Sequence, residues 1–340
     1  MNKLEKYIID NIFTTFISIF LSLFMIASLV FLIKLATWTA VIKLDVLEMG
    51  KMYLFVLPEI LFFILPITFF VSSVLALFRL SNDNEMVVVF ALGIGPKFLL
   101  RIIAKVALFL GLLLLFDYLF IVPHTRVLSD NFYDYKKGEA QLNISASEYG
   151  HKFGDWLLYI GKADKKARSY EDIFLFNKGK DEEMLITAKK AQIINDDGIL
   201  RLKLKRGEAN TYSKKKFSQI NFQEMYINDI LKISQTHYKS VIDYWLSNKK
   251  RKTKRSMLIT NTLLSLFPLL SIFLIVSIGV VHAREQKGKT YFYIFLSLIT
   301  FFGLTLGLQK ILVYYTIPFV MIVWFFGTYM IYKKTIAKRF

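Results

Sequence analysis

Two groups of long apolar runs, three in each, enclose a hydrophilic block of about 130 residues from Pro123 to Arg255. Each run is near the ~20 residues a helix needs to cross ~30 Å of hydrocarbon, so the layout demands a membrane and leaves one sizeable polar domain to fold beside it. With 55% hydrophobic residues and a mean hydropathy of +0.45 over 340 residues, the chain is too apolar to be a soluble protein of this length. It contains no cysteine, which excludes disulfides and thiolate metal sites and leaves the polar block to be held by its own core. A net charge of +18 calls for anionic partners. The basic residues stand largely beside the apolar runs and in the polar block, which favours anionic lipid over nucleic acid.

The runs place spans at about 12–36, 52–78, 98–122, 256–281, 291–309 and 313–332. Lys3 and Lys6 precede the first run as in a signal peptide, but Ile12 to Ile33 is longer than a signal-peptide core and no A-x-A site follows, so it reads as an uncleaved span. Six spans put both termini on one side. With cytoplasmic termini, the short inner segments carry Lys3, Lys6, Arg79, Lys97, Arg101, Arg284, Lys287, Lys289, Lys333, Lys334, Lys338 and Arg339, against Lys34, Lys43, Lys51 and Lys310 outside. Twelve against four sets the termini inside. The basic run Lys249–Arg255 pulls the other way, but it belongs to a long domain, and long domains count less in this rule than short loops.

Strand signals dominate the polar block. Leu200-Arg201-Leu202-Lys203-Leu204-Lys205 alternates strictly, and Asn195-Asp196-Asp197-Gly198 before it is turn chemistry. Trp156–Ile160, Ile173–Phe176, Met184–Ala188 and Phe217–Phe222 add short runs, which together predict a small antiparallel sandwich or jelly roll. Thr125–Gln141 and Ile227–Ser247 read as amphipathic helices tying it to the spans. The expected fold is therefore an α-helical membrane protein with an inserted all-β domain: residues 1–122 form three spans, 123–255 the β domain with its flanking helices, and 256–340 three further spans and a tail.

Few motifs carry chemistry. Ala283 to Thr290 matches a relaxed phosphate-loop pattern, but it is a short turn between two spans with no preceding strand, so we reject it. The four histidines have neither ligand nor triad spacing, and no catalytic or metal residue is assigned. Gly303 and Gly307 form a G-x-x-x-G, read first as ordinary helix packing. Glu59 and Asp117, near span ends, are costly in hydrocarbon unless they find a partner, a wet cavity or the interface. Lys34 is an interfacial anchor that would meet phosphate beside a lipid-filled cavity.

The stretch between the second and third spans, Arg79 to Lys97, is more informative. It opens with cap-type residues, runs through a short apolar helix and stops at Gly93, Gly95 and Pro96. No Lys or Arg lies between Leu80 and Pro96, which argues against a simple lipid anchor and leaves two readings, inert interfacial packing or a handle gripped by a cytoplasmic motor.

With Leu57-Pro58-Glu59 and Leu65-Pro66 in the second span, then Arg79-Leu80-Ser81, Glu85 and Gly93, then a β-rich domain and three more spans, the chain resembles the LptF/LptG (YjgP/YjgQ) permease family over essentially its whole length. The resemblance does not separate the two paralogues. It implies a non-catalytic permease half of an ABC transporter in the bacterial inner membrane. Such a permease pairs with a second LptF/LptG-type permease, a dimeric cytoplasmic LptB-type ATPase and a single-span LptC-type protein, and passes lipopolysaccharide through a periplasmic jelly roll to a bridge. This chain would bind no cofactor, ATP and Mg being held by the ATPase. Carried onto this sequence, the coupling helix at about 80–95 includes Arg79, Leu80, Ser81, Asp83, Glu85, Val88 and Gly93, with Glu85 entering the ATPase groove. The residues expected to meet lipid are Lys34, Glu59, Lys310, Leu200, Leu202 and Leu204. A membrane-anchored scaffold or sensor with a ligand-binding β domain is the alternative.

Overall fold

A computed structural model describes residues 3–39, 44–142, 151–153, 156–164, 169–178, 182–196, 199–213, 216–229, 244–245, 251–281 and 289–336. The chain divides into two compact units, one of Met1–Ile33, Tyr53–Val127 and Tyr238–Phe340, the other of Lys34–Met52 and Leu128–His237.

The first unit is helical, and helical residues 34–39, 46–52 and 128–142 belong to the second. Helices α1 (Lys3–Thr39) and α2 (Val46–Asn82) are followed by the short α3 (Glu85–Ala91) and by α4 (Pro96–Phe116). A π-helical turn at Asp117–Ile121 leads from α4 into α5 (Val122–Leu142). After the β strands come α6 (Arg251–Leu270), α7 (Ile272–Gly279), α8 (Lys289–Leu312) and α9 (Thr316–Thr335). Among the described residues, four helical stretches are long and apolar enough to cross a membrane, or five when the bent pair α6 and α7 is counted as one span.

That bend, 48°, falls at Ser271, three residues after Pro268, whose ring cannot donate a backbone hydrogen bond and crowds the preceding turn. The stretch Lys289–Thr335 also hides a reversal. Phe301 and Trp324 are 23 positions apart, roughly 35 Å along a straight helix, yet their ring centroids lie 5.1 Å apart. The chain therefore folds back at the 3-10 turn Val313–Tyr315, where Val313 takes φ 52°, a conformation that β-branched residues rarely adopt.

Helix α2 is the most enclosed of the four single apolar stretches, and its Phe69, Phe70, Val74, Ala76, Leu77 and Leu80 belong to the main core. Gly279 in α7 lies so close to α2 that a Cβ there would meet the Leu77 Cβ at 2.7 Å and the Val74 carbonyl at 3.0 Å. Small residues allow such contact where no water drives helices together.

In the second unit, six antiparallel strands pair in sequence order: β1 (His151–Phe153), β2 (Trp156–Asp164), β3 (Ser169–Lys178), β4 (Glu182–Asp196), β5 (Ile199–Ser213) and β6 (Lys216–Asp229). The expected run of alternating strands is thus present as a separate antiparallel sheet, and its described strands form a meander of neighbouring hairpins.

One line crosses this sheet. Pairing skips the positions Gly161 and Asp172, Asp172 and Lys189, Lys189 and Arg206, and Arg206 and Gln223, while the registers on either side match. Asp172 and Arg206 both have φ 53°. A flat strand buries every second residue, but here Tyr170 and Ile173, or Ala188 and Ala191, are buried three apart across the line. Residues from both halves join one core. The line is a crease: β3, β4 and β5 change face there, and residues on both sides of it share a single apolar interior.

Candidate functional site

Two regions carry the side chains singled out above. The first is built on α3. Helix α2 ends at Asn82, and Asn84 takes φ 62°, turning the chain sharply so that Glu85 opens α3. Gly93, with φ 81°, then closes the segment in a conformation only glycine adopts freely, and Pro96 starts α4. Met86 and Val89 are buried and seat α3 on the helical core, whereas Val87, Val88 and Leu92 are exposed. These exposed positions share one side of the short helix and make an apolar face with a carboxylate at its start.

The residues before α3 divide their tasks. Leu80 is buried in the main core, and the buried Ser81 hydroxyl donates to the Gly279 carbonyl at 3.1 Å, tying the end of α2 to α7. Arg79 reaches α1, its Nη2 donating to Asn11 Oδ1 at 2.6 Å. Glu85 Oε2 accepts a hydrogen bond from the Tyr7 hydroxyl at 2.7 Å. Asp83 is exposed. Neither Tyr7 nor Asn11 stood out in the sequence, because each partner lies about 70 to 80 positions away and leaves no local pattern.

The second region gathers charge near the far ends of the helices. Glu59 is held by Arg126, whose Nη2 and Nε donate to the two carboxylate oxygens at 2.5 and 3.1 Å. This two-pronged pair answers the cost of placing Glu59 in a span, and Arg126 Nη1 also lies 3.0 Å from Met257 Sδ. Asp117 is buried on the π-helical turn instead of reaching outward. From the basic run, Lys254 turns inward, donating to the Tyr244 carbonyl at 2.5 Å and lying 4.4 Å over its ring. Trp245 Nε1 donates to the Leu119 carbonyl at 3.2 Å, so this pair of aromatic residues is latched to the helices. Lys249 and Lys250 lie outside the described residues, as does most of Ile227–Ser247 and of the loop Ala283–Gly288.

Lys310, at the end of α8, is exposed. Within the other unit, Lys34 is exposed with Nζ 5.3 Å above the Trp38 ring. Leu202 and Leu204 are fully buried and line the interior of the creased sheet, as their alternation predicts. Leu200 pairs with Asn195 and Asp229, and its side chain lies outside the described set. Added Cβ atoms at Gly303 and Gly307 would meet nothing within 4 Å, so no described helix of this chain uses the G-x-x-x-G for close packing. Among the described residues, no group of three or more His, Asp or Glu side chains is placed to hold a metal ion.

Several long apolar helices, a separate antiparallel sheet and a short apolar helix displayed between two of the long helices define a multi-pass membrane protein. Residues 6–331 match the family described as lipopolysaccharide export system permease LptF/LptG, and the chain belongs to that family. No curated protein matches it. Membership makes the chain a permease subunit of lipopolysaccharide export, in a family that is generally non-catalytic.

Proposed function

We propose that this chain is one half of an ABC-type exporter in the bacterial inner membrane, with six crossings, cytoplasmic termini and a periplasmic β domain. The count treats α1, α2, α4 with its π turn, the bent pair α6 and α7, α8 and α9 as one crossing each; the reversal at Val313–Tyr315 supports separating the last two. A second LptF/LptG-type permease completes the cavity, an LptB-type ATPase dimer supplies ATP hydrolysis, and a single-span LptC-type protein joins them.

The observation that carries the coupling role is the face of α3. Three exposed apolar side chains, Val87, Val88 and Leu92, beside the Glu85 carboxylate form a handle seated on the core by Met86 and Val89. A rigidly seated, outwardly apolar helix suits docking in a groove of the ATPase. ATP binding there displaces α3, the permease halves narrow their cavity, and acyl chains pass into the creased sheet, whose apolar interior displays Leu202 and Leu204. The creased meander serves as the jelly-roll-like receiver, delivering to a periplasmic bridge. Lys34 and Lys310 are assigned to lipid phosphate, and Glu59 to the cavity wall through its pairing with Arg126.

Charge reversal Glu85→Lys is the deciding experiment. It is expected to lower both ATPase co-purification and ATP-driven lipopolysaccharide release from proteoliposomes. Wild-type values for both would favour a scaffold or sensor. A photo-crosslinking residue at Leu202 is expected to capture lipopolysaccharide only when ATP is hydrolysed; capture indifferent to ATP would indicate passive binding.

A further inference from the structure

Helix α1 is held unlike its neighbours. Only 6% of its most apolar window is buried, compared with 61% for α2, so its middle has little packing within this chain. Its first three turns are different. Ile8 and Ile12 are buried in the main core, and three side-chain ties leave the same stretch. Glu5 pairs with Lys105 of α4 at 2.8 Å, Asn11 accepts from Arg79 of α2, and Tyr7 donates to Glu85 of α3. Tyr7 and Asn11 are one helical turn apart on one face, and Asn11 Nδ2 donates to the Tyr7 carbonyl at 3.1 Å. The carboxylate that opens the docking helix is therefore gripped by the least-packed span.

We propose that Tyr7 is a positioning residue of the transport cycle: its hydroxyl, bonded to the Glu85 carboxylate, carries the displacement of the docked α3 into α1. This rests on the coupling role proposed above for α3. A carboxylate has about four acceptor sites, so one bond from Tyr7 leaves capacity for a donor from the ATPase. Mechanically, α1 is suited to respond. The helix spans roughly 55 Å, its lower end moves with α3 through Tyr7 and with α2 through Asn11, and its exposed middle meets little resistance from this chain.

The test uses the full chain reconstituted with its partner permease and the ATPase, comparing Tyr7→Phe, Glu85→Ala and the double variant. Tyr7→Phe keeps the ring and removes only the hydroxyl. Expected are unchanged ATPase co-purification, a roughly 3- to 10-fold fall in lipopolysaccharide released per ATP hydrolysed, and a double variant no worse than the poorer single one, because both substitutions remove the same bond. Wild-type release per ATP in Tyr7→Phe overturns the proposal, and so do additive defects. A parallel loss of docking and of thermal stability in Tyr7→Phe assigns the residue to folding and likewise overturns it. Failure of the underlying reading is distinguishable: if Glu85→Lys docks and releases normally, α3 is not the coupling element, whereas a defective Glu85→Lys beside a normal Tyr7→Phe removes only the role of Tyr7.

Discussion

Single residues decide where this chain can bring its backbone close. Gly279 is one: the space a side chain would fill there is already taken by Leu77 and the Val74 carbonyl of α2. Gly279→Val is expected to destabilise the helical unit by about 1–3 kcal/mol through overpacking, read as a lower midpoint of thermal unfolding in detergent. Because Ser81 bonds to the Gly279 carbonyl, the same substitution should also weaken the seat of α3. Gly303→Val, placed where nothing lies within 4 Å, is the matching control and should leave the isolated chain at its wild-type midpoint. The two glycines look alike in the sequence, and only their neighbours separate them.

Elements show how far periodicity reaches. Alternation at Leu200–Lys205 correctly puts Leu202 and Leu204 inside, since the two-residue repeat of a strand is local. The same rule fails when carried past Arg206, because the crease changes the face there. A β-branched residue is poorly suited to φ 53°, so Arg206→Val should cost about 1–2 kcal/mol, with increased amide exchange in β5 of the intact protein as its readout. On the edge of the same sheet, Lys203 pairs with Glu224 at 3.0 Å and lies over Tyr226. Lys203 holds the Glu224 carboxyl below its ordinary value of 4.5. Hydrogen bonding to Tyr226, then to Glu224, raises Lys203 above its ordinary 10.5. The Glu224 contribution is present above pH 4.5 and lost as pH falls through the depressed value; that of Lys203 is present below 10.5 and lost as pH rises through the raised one. Protection of the β6 amides, expressed relative to their intrinsic exchange rates, should therefore fall as pH drops through that depressed value, and Lys203→Met should flatten that response. An unchanged acid slope in the variant would refute the pairing.

For the whole molecule, orientation is the property with most at stake, and the basic run bears on it directly. Thr253 is exposed in the first turn of α6, and the chain has no cysteine, so Thr253→Cys supplies a unique label site. With the β domain periplasmic, a membrane-impermeant maleimide should label it in intact spheroplasts; labelling only after lysis would invert the topology. Sequence alone determined that the chain is a membrane protein, that a β-rich block interrupts its spans, and that a short apolar helix stands between the second and third. Those properties follow from hydropathy and from repeats of two or 3.6 residues, which need no distant partner. Tertiary structure decided the rest: the pairing of Glu59 with Arg126 across 67 positions, the bond from Tyr7 to Glu85 across 78, and the crease that gives the sheet an interior. Each depends on groups far apart in the chain meeting in space, and a local pattern carries no record of the partner it will meet.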